Sequence, residues 1–411
     1  MCVKIKEKEV GRIEVFMKVN IIRMDDLGRG ICYVDDKITF VPNSLVGDIL
    51  EIEIIKKSKK YNIGKIKRVI ESKGLVSPCL YSDICGGCSL LKMDYPKTLE
   101  FKKSKLENLF KKFGHLDLNI PVVASSLKFY YRNKITLHVK EGVVGLYKYE
   151  SKEIIKIDKC LLVPFKVNEF IRLIHDFKIK NGEVVIRTNF NMEILVNFIT
   201  SDNLEIPCLT EFKIAGILQN GKVLRGDDFL IEKINNMYFK VSYDAFFQIN
   251  LGVTEKLFNL LLEVAPRECN VLDLFCGTGT LGQVIAPYSN KVYGIEINKN
   301  ATINAAFNAK INGLSNCYYL CGDANLLIEK IDTKIDLVII DPPRSGMSKK
   351  GIELLKRVGA SNIIYVACDP VTLIRDINLL KDDYEVKTVI GLDMFPFTYH
   401  VESVSVLSRK A

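Results

Sequence analysis

A series of short apolar runs in the second half of the chain, each closing on a glycine turn, an acid or a thiol, restricts the fold more than anything else. Val271-Leu272-Asp273-Leu274-Phe275-Cys276-Gly277-Thr278-Gly279-Thr280 is a strand entering a glycine-rich turn, followed by a helical stretch from Leu281. Lys291 to Ile297 carries Glu296 near its end, and Tyr318 to Cys321 is followed by Asp323. Ile335 to Ile340 precedes Asp341-Pro342-Pro343-Arg344, and Ile363 to Ala367 runs into Cys368-Asp369-Pro370. Such runs, bounded by turn residues and alternating with helical stretches, argue for an open α/β sheet. Ligands bind such sheets outside the carboxyl ends of the strands, so Glu296, Asp323, Asp341 and Cys368 belong to one site.

The details of these strand ends point to chemistry. Glycines at 277 and 279 let a ligand approach the backbone beneath a helix N-terminus. An acid at the end of the second strand commonly takes the hydroxyls of a cofactor ribose. The third glycine of the dinucleotide fingerprint is missing, which points away from NAD and towards S-adenosylmethionine (SAM). Pro342 and Pro343 prevent helix or ladder continuation and hold Asp341 in an extended loop. Pro370 suits the first turn of a helix after Cys368, and a thiol at that junction lies near backbone N–H groups and a positive helix end, which favour thiolate. An isolated cysteine is ordinarily a small buried hydrophobe, so its neighbours carry the case. Val401 to Val406 alternates apolar and polar residues with Glu402 at the start. His400 and Glu402 share a face if the strand extends that far, and on local pattern alone Glu402 reads as a solvated edge-strand carboxylate.

The remainder of the chain reads as two further parts. At 411 residues and 48% hydrophobic, it can form two or three domains with substantial cores. No apolar run reaches membrane length and Met1 to Val10 is charged, so a cytoplasmic protein is expected, with its twelve Cys as thiols or metal ligands. The net charge of +9 suits a polyanionic partner. Arg12 to Ile22, Gly30 to Val41 and Asp48 to Ile55 are strand-like, with turns at Asp25–Gly28 and Asp35-Asp36, and predict a small β-barrel. The barrel closes on Lys56-Lys57-Ser58-Lys59-Lys60, then Lys65, Lys67 and Arg68, a cationic run suited to backbone phosphates. Cys79, Cys85 and Cys88, with two glycines and a preceding proline, form a compact multi-thiolate loop, with Cys160 much later; these residues leave zinc and iron–sulfur both open. Tyr95 to Phe113 predicts a basic amphipathic helix with Lys97, Lys102, Lys103, Lys105, Lys111 and Lys112, and Phe129 to Lys134 interleaves aromatics with cations. Glu183 to Arg187 and Glu193 to Phe198 pair as a hairpin across Asn189-Phe190-Asn191; otherwise Val163 to Val241 is poorly informative.

Phe246-Phe247-Gln248-Ile249-Asn250, the Asp273–Gly279 loop, Asp341-Pro342-Pro343-Arg344, Tyr365–Pro370 and His400-Val401-Glu402 occur in one order and spacing. In these five motifs the chain resembles the RNA (uracil-5-)-methyltransferases, especially the bacterial 23S ribosomal RNA branch. The resemblance implies Cys368 as nucleophile and Glu402 as the base that removes the C5 proton. It implies that Gln248, Phe275, Glu296, Asp323 and Asp341 line the SAM site. Thr280 stands where relatives often have Asn, a departure at the cofactor loop. The N-terminal segment looks like the TRAM domain of this branch, and the resemblance implies a [4Fe-4S] cluster on Cys79, Cys85, Cys88 and Cys160. The residue types suit the reaction, because C5 of uracil attacks a sulfonium methyl only after a thiolate has added to C6. A carboxylate must then take the C5 proton.

The expected architecture is an α/β and β multi-domain enzyme. Residues 1–72 form an OB-like barrel (TRAM), 73–245 an α+β iron–sulfur, RNA-binding domain, and 246–411 a Rossmann-like SAM-dependent methyltransferase domain. Its expected substrate is 23S rRNA before ribosome assembly is complete, with no DNA and no membrane partner. A tRNA uridine-5 methyltransferase is the rival reading. An inactive RNA-binding protein is a second, against which the joint presence of Cys368 and Glu402 counts.

Overall fold

The computed structural model describes residues 3–9 and 12–411, with side chains from Phe16 onward. The chain packs as two units, one of Met1–Phe101, Tyr147–Lys152 and Phe395–His400, the other of Lys102–Leu146, Glu153–Met394 and Val401–Ala411.

In the first unit, alternation of apolar and polar residues builds a seven-stranded sheet. Strand Gly30–Val34 turns into Lys37–Val41 through Asp35 and Asp36, both at positive φ, the geometry of a tight hairpin whose twist matches its strands. Asp25 closes the other expected turn by accepting from the amides of Leu27 (3.1 Å) and Arg29 (2.8 Å). Ile49–Lys57 and Asn62–Glu71 pair antiparallel, and Met17, Val19, Ile21, Cys32, Val34, Val41, Leu50 and Ile52 form the core. Strand Val3–Glu9, absent from the sequence reading, pairs with Arg12–Asn20 at the sheet edge. Among the described residues the two outermost strands do not pair with each other. The cationic run from Lys56 to Lys60 is exposed at all four lysines.

The second unit contains two large sheets. One runs in the order Ile154–Lys156, Val143–Tyr147, Lys134–Lys140, Gly182–Thr188, Ile194–Ile199, Ile214–Gln219, Lys222–Gly226. The hairpin across residues 189–191 is present, with Glu183 opposite Ile199 and Arg187 opposite Leu195. The other sheet has eight strands: β1 (Val122–Val123), β2 (Asn270–Leu274), β3 (Lys291–Glu296), β4 (Cys317–Cys321), β5 (Leu337–Ile340), β6 (Asn362–Ala367), β7 (Tyr384–Leu392) and β8 (Glu402–Arg409). Their order is β4-β3-β2-β5-β6-β8-β7-β1, with β2 to β6 parallel and β8 antiparallel to both neighbours. Helices α1 (Leu251–Val264), α2 (Thr280–Ile285), α3 (Lys299–Ile311), α4 (Lys349–Val358) and α5 (Pro370–Leu380) accompany it. All four residues of β5 are buried, as expected of a parallel strand covered on both faces. The order reverses between β2 and β5, which opens the ligand crevice of a Rossmann-like sheet at their carboxyl ends.

The basic helix spans Tyr95–Leu109, but its cations do not all face water. Lys102 is fully buried in an ion pair with Asp393, and Lys105 is also buried. Among the described residues no helix is long and apolar enough to cross a membrane.

Candidate active site

β2 delivers a strained turn to the crevice. Phe275 has φ +60°, Gly277 +54° and Gly279 +81°, and only glycine adopts that region freely. A Cβ on Gly277 would meet nothing within 4 Å, so the backbone there faces open space. Glu296, at the end of β3, holds the turn: its Oε2 accepts from Gly277 N (3.1 Å), and its Oε1 accepts from Asn298 N (2.8 Å). Asp273 is buried and accepts from Gly282 N (2.9 Å) at the start of α2. Burial, and secondarily the charges of Asp341 and Glu296, raise its pKa to about 7. Gly294 is needed for packing, since a Cβ would lie 2.5 Å from the Tyr319 ring.

The catalytic candidates come together at the ends of β5, β6 and β8. Asp369 caps α5 by accepting from Val371 N (2.9 Å) and Thr372 N (3.1 Å), which places Cys368 at the strand–helix junction as expected. The expected thiolate preference is not found. Burial first, then Glu402 and Asp341, raise the Cys368 thiol to about 11, against the opposing charge and hydrogen bond of Arg344. Burial, with two nearby carboxylates, outweighs the helix end. Glu402 is 3% exposed and opens β8, which lies between β6 and β7, so the edge-strand reading of this residue is corrected. His400 lies before the strand, so the two do not share a strand face. Burial and Asp341 push the Glu402 carboxyl well above the usual carboxylate range, with Arg344 opposing. Asp341 is itself raised to about 7 by burial and accepts from Gln248 Nε2 (3.4 Å).

Arg344 is the residue whose role the sequence reading missed; its signal was its place in the Asp-Pro-Pro-Arg motif. Its loop is tied to α5. Thr372 Oγ1 donates to Arg344 O (3.3 Å), and Arg375 Nη2 donates to Ser345 O (3.0 Å) and Met347 O (2.9 Å). Buried Asp376 accepts from Met347 N and Tyr365 Oη, both at 2.7 Å. The helix that begins beside Cys368 thus also fixes the loop that presents Arg344.

The other expected residues divide. Asn250 caps α1, accepting from Val253 N (3.3 Å), which anchors the loop bearing Gln248. Phe275 is 39% exposed at the turn. Asp323 is exposed and holds its own turn, accepting from Asn325 N (2.8 Å); these hydrogen bonds lower its pKa. Gly322 N donates to Glu296 O (2.9 Å), which keeps that turn beside β3. In the first unit, burial raises the Cys85 thiol, with the Gly87 amide opposing and Cys79 adding to the rise. Among the described residues, no three His, Cys, Asp or Glu side chains gather into a metal-binding group. The donor chemistry of the loop suits a thiolate-bound metal.

Comparison with known proteins decides the family. The profile described as tRNA (Uracil-5-)-methyltransferase matches residues 210–410. An uncharacterized RNA methyltransferase of Clostridium acetobutylicum is 33% identical, covering 94% of this chain and 96% of that one. The chain belongs to the RNA (uracil-5-)-methyltransferase family. A similar RNA methyltransferase of Caldanaerobacter subterraneus is 33% identical over 95% of this chain and 98% of its own. The crystal structure of Pyrococcus abyssi tRNA (uracil-54, C5)-methyltransferase in complex with S-adenosyl-L-homocysteine (SAH) is 28% identical. It has a TM-score of 0.78 and covers 95% of this chain and 100% of that one. A SAM-dependent RNA uracil-5 methyltransferase is therefore the class to which the crevice belongs. SAM fits the residues present. Asp273, Glu296, Asp341 and Glu402 make the crevice acidic, a lining whose charge suits a cationic sulfonium.

Proposed function

We propose that the protein methylates C5 of a uridine in 23S rRNA, with Cys368 as nucleophile and Glu402 as base. The observation that carries this reading is the mutual electrostatic contact of Cys368, Glu402 and Arg344 beside the acidic crevice. Gln248, Phe275, Glu296, Asp323 and Asp341 are the proposed cofactor contacts. Bound SAM supplies an electrophilic methyl on a sulfonium. Cys368, as thiolate, bonds to C6 of uracil, and the C5–C6 electron pair moves into an enolate ending on O4. Arg344 favours the thiolate by its charge and hydrogen bond. Once C5 carries the methyl, whose bond to the sulfonium breaks with its electron pair left on a neutral thioether sulfur, ionised Glu402 takes the C5 proton, the C5–C6 double bond re-forms and the S–C6 bond breaks to return the Cys368 thiolate. Burial makes Glu402 a stronger base than an exposed carboxylate once it has lost its proton.

RNA containing 5-fluorouridine tests the roles, because fluorine at C5 blocks proton removal. Cys368 is expected to trap such RNA covalently, and Cys368→Ala to lose both adduct and product. Glu402→Gln is expected to accumulate a methylated adduct on ordinary RNA; turnover at the wild-type rate removes Glu402 from its role.

The rRNA assignment rests on the TRAM-like first unit, with its exposed lysines, together with the cysteine pattern, and with it goes the division of residues 1–72, 73–245 and 246–411. The proposed cluster is [4Fe-4S] on Cys79, Cys85, Cys88 and Cys160, supported by spacing and thiol donors; about four irons per anaerobically purified chain are expected, and stoichiometric zinc refutes it. The similarity to the archaeal tRNA enzyme favours a second reading, tRNA. Methylation of 23S fragments and tRNA transcripts side by side separates the two.

A further inference from the structure

The sheet beside the methyltransferase domain holds cations that methyl transfer does not use. Arg187 stands opposite Lys134 on the neighbouring antiparallel strand and is 4% exposed. Its Nη2 donates to Ala245 O (2.8 Å), but Nε and Nη1 are buried without a hydrogen-bond partner. Buried donors are nearly always satisfied, because an unmet one has given up its hydrogen bond to water for nothing. Glu232 faces Arg187, yet its Oε1 is occupied by the amides of Phe190 (2.9 Å) and Lys233 (3.0 Å). Arg132 Nε donates to Lys134 O (2.8 Å), bringing a second guanidinium to the same place. Burial, then Arg187 and Arg132, bring Lys134 down to about 8, with Asp244 opposing. Three cations against two carboxylates, Glu232 and Asp244, leave an excess of positive charge that suits a further anion.

Their position says what kind of anion. Arg187 grips the carbonyl of Ala245, and Asn133 donates through Nδ2 to Gln248 O and through its amide to Ile249 O, both at 3.1 Å. Residues 245–250 form the loop from which Gln248 reaches Asp341. The cations therefore adjoin the crevice mouth. We propose that Arg132, Lys134 and Arg187 seat a backbone phosphate of the RNA beside the target uridine. Two oxyanions have the right chemistry, an RNA phosphodiester and the carboxylate of the methyl donor. The phosphate is favoured because a nucleotide flipped into the crevice leaves its flanking phosphates at the mouth, and because guanidinium forks match phosphate oxygens. The inference rests on the RNA-uridine reading above.

The test compares wild type, Lys134→Gln, Lys134→Arg and Arg187→Gln in binding an RNA fragment across a salt series, with SAH binding measured in parallel. Lys134 is half-buried, so its variants remain informative if Arg187→Gln fails to fold. Lys134→Gln is expected to bind RNA about tenfold more weakly with a salt slope lower by about one, and to bind SAH as wild type does. Lys134→Arg restores the slope. A single uncharged methylphosphonate beside the target uridine weakens wild type to the same degree and Lys134→Gln hardly at all. An unchanged slope in Lys134→Gln overturns the proposal, as does a loss of SAH binding with RNA binding retained. If wild type forms no Cys368 adduct with 5-fluorouridine RNA, the parent reading falls; if the adduct forms while the slope stays fixed, the phosphate seat alone falls.

Discussion

Cys368 in the ligand-free protein is expected to be a slow thiol. Its surroundings raise its pKa from 9.0 to about 11, so near neutral pH the thiolate fraction is ~100-fold below that of an ordinary cysteine. The more basic thiolate is also the better nucleophile, and a Brønsted coefficient of ~0.4–0.5 returns ~6–10-fold of that loss. Alkylation by iodoacetamide should therefore run about tenfold slower than at an ordinary thiol, and solvent screening of this half-buried group moves the ratio towards several-fold. Cys208 supplies an internal reference, because it is exposed and the Thr210 hydrogen bonds lower its pKa. Peptide-resolved mass spectrometry of labelling against pH reads both residues in one sample. The Cys368 rate should still be rising at about pH 10, and Arg344→Gln should shift its profile upward by removing the charge that favours thiolate. Sinefungin, which carries an ammonium where SAM carries its sulfonium, should shift the profile down, whereas neutral SAH should not. A Cys368 profile that levels off at or below about pH 8.5, with a rate equal to that of Cys208, refutes the assignment of opposing charges.

Breaking the buried Lys102–Asp393 pair with Lys102→Ala should cost about 3–5 kcal/mol in urea unfolding, because it removes the cation paired with a buried carboxylate. Lys102→Met with Asp393→Leu should cost much less, and equal losses would show that the charges are not the cause. Asp273 has a folded pKa of about 7 against an ordinary 3.8, so the folded state binds the extra proton between these values. That contribution is fully present below about pH 4 and is lost as pH rises through about 7. Between about pH 5 and 8, the melting temperature of Asp273→Asn should therefore fall less steeply than that of wild type; parallel curves would place the titration elsewhere.

Much of the catalytic sheet was legible because its signals are local. Apolar runs followed by Glu296, Asp323, Asp341 and Cys368 mark strand ends, and Pro370 marks the start of the helix after Cys368. Between Val163 and Val241 the same logic found one hairpin and little else, since that sheet is assembled from pairings such as Ile194–Ile199 alongside Ile214–Gln219 that leave no short-range periodic mark. Strand Val3–Glu9 was overlooked because its alternating lysines and glutamates read as a charged terminus.

The sequence by itself determined the strand ends at which Glu296, Asp341 and Cys368 stand, because backbone periodicity and proline constraints act over a few positions. Tertiary structure alone decided what those residues are chemically. Glu402 belongs to a central strand only because β8 inserts between β6 and β7, and burial there reverses its reading from solvated surface acid to buried carboxyl with a raised pKa. Cys368 was expected to favour thiolate from its helix alone, yet burial, together with carboxylates from two other strand ends, raises its pKa. The same distinction holds for Lys102, a surface cation by helical pattern and a buried one by packing. Desolvation and Coulomb interactions act through space between residues far apart in the chain, so no local pattern could have specified them.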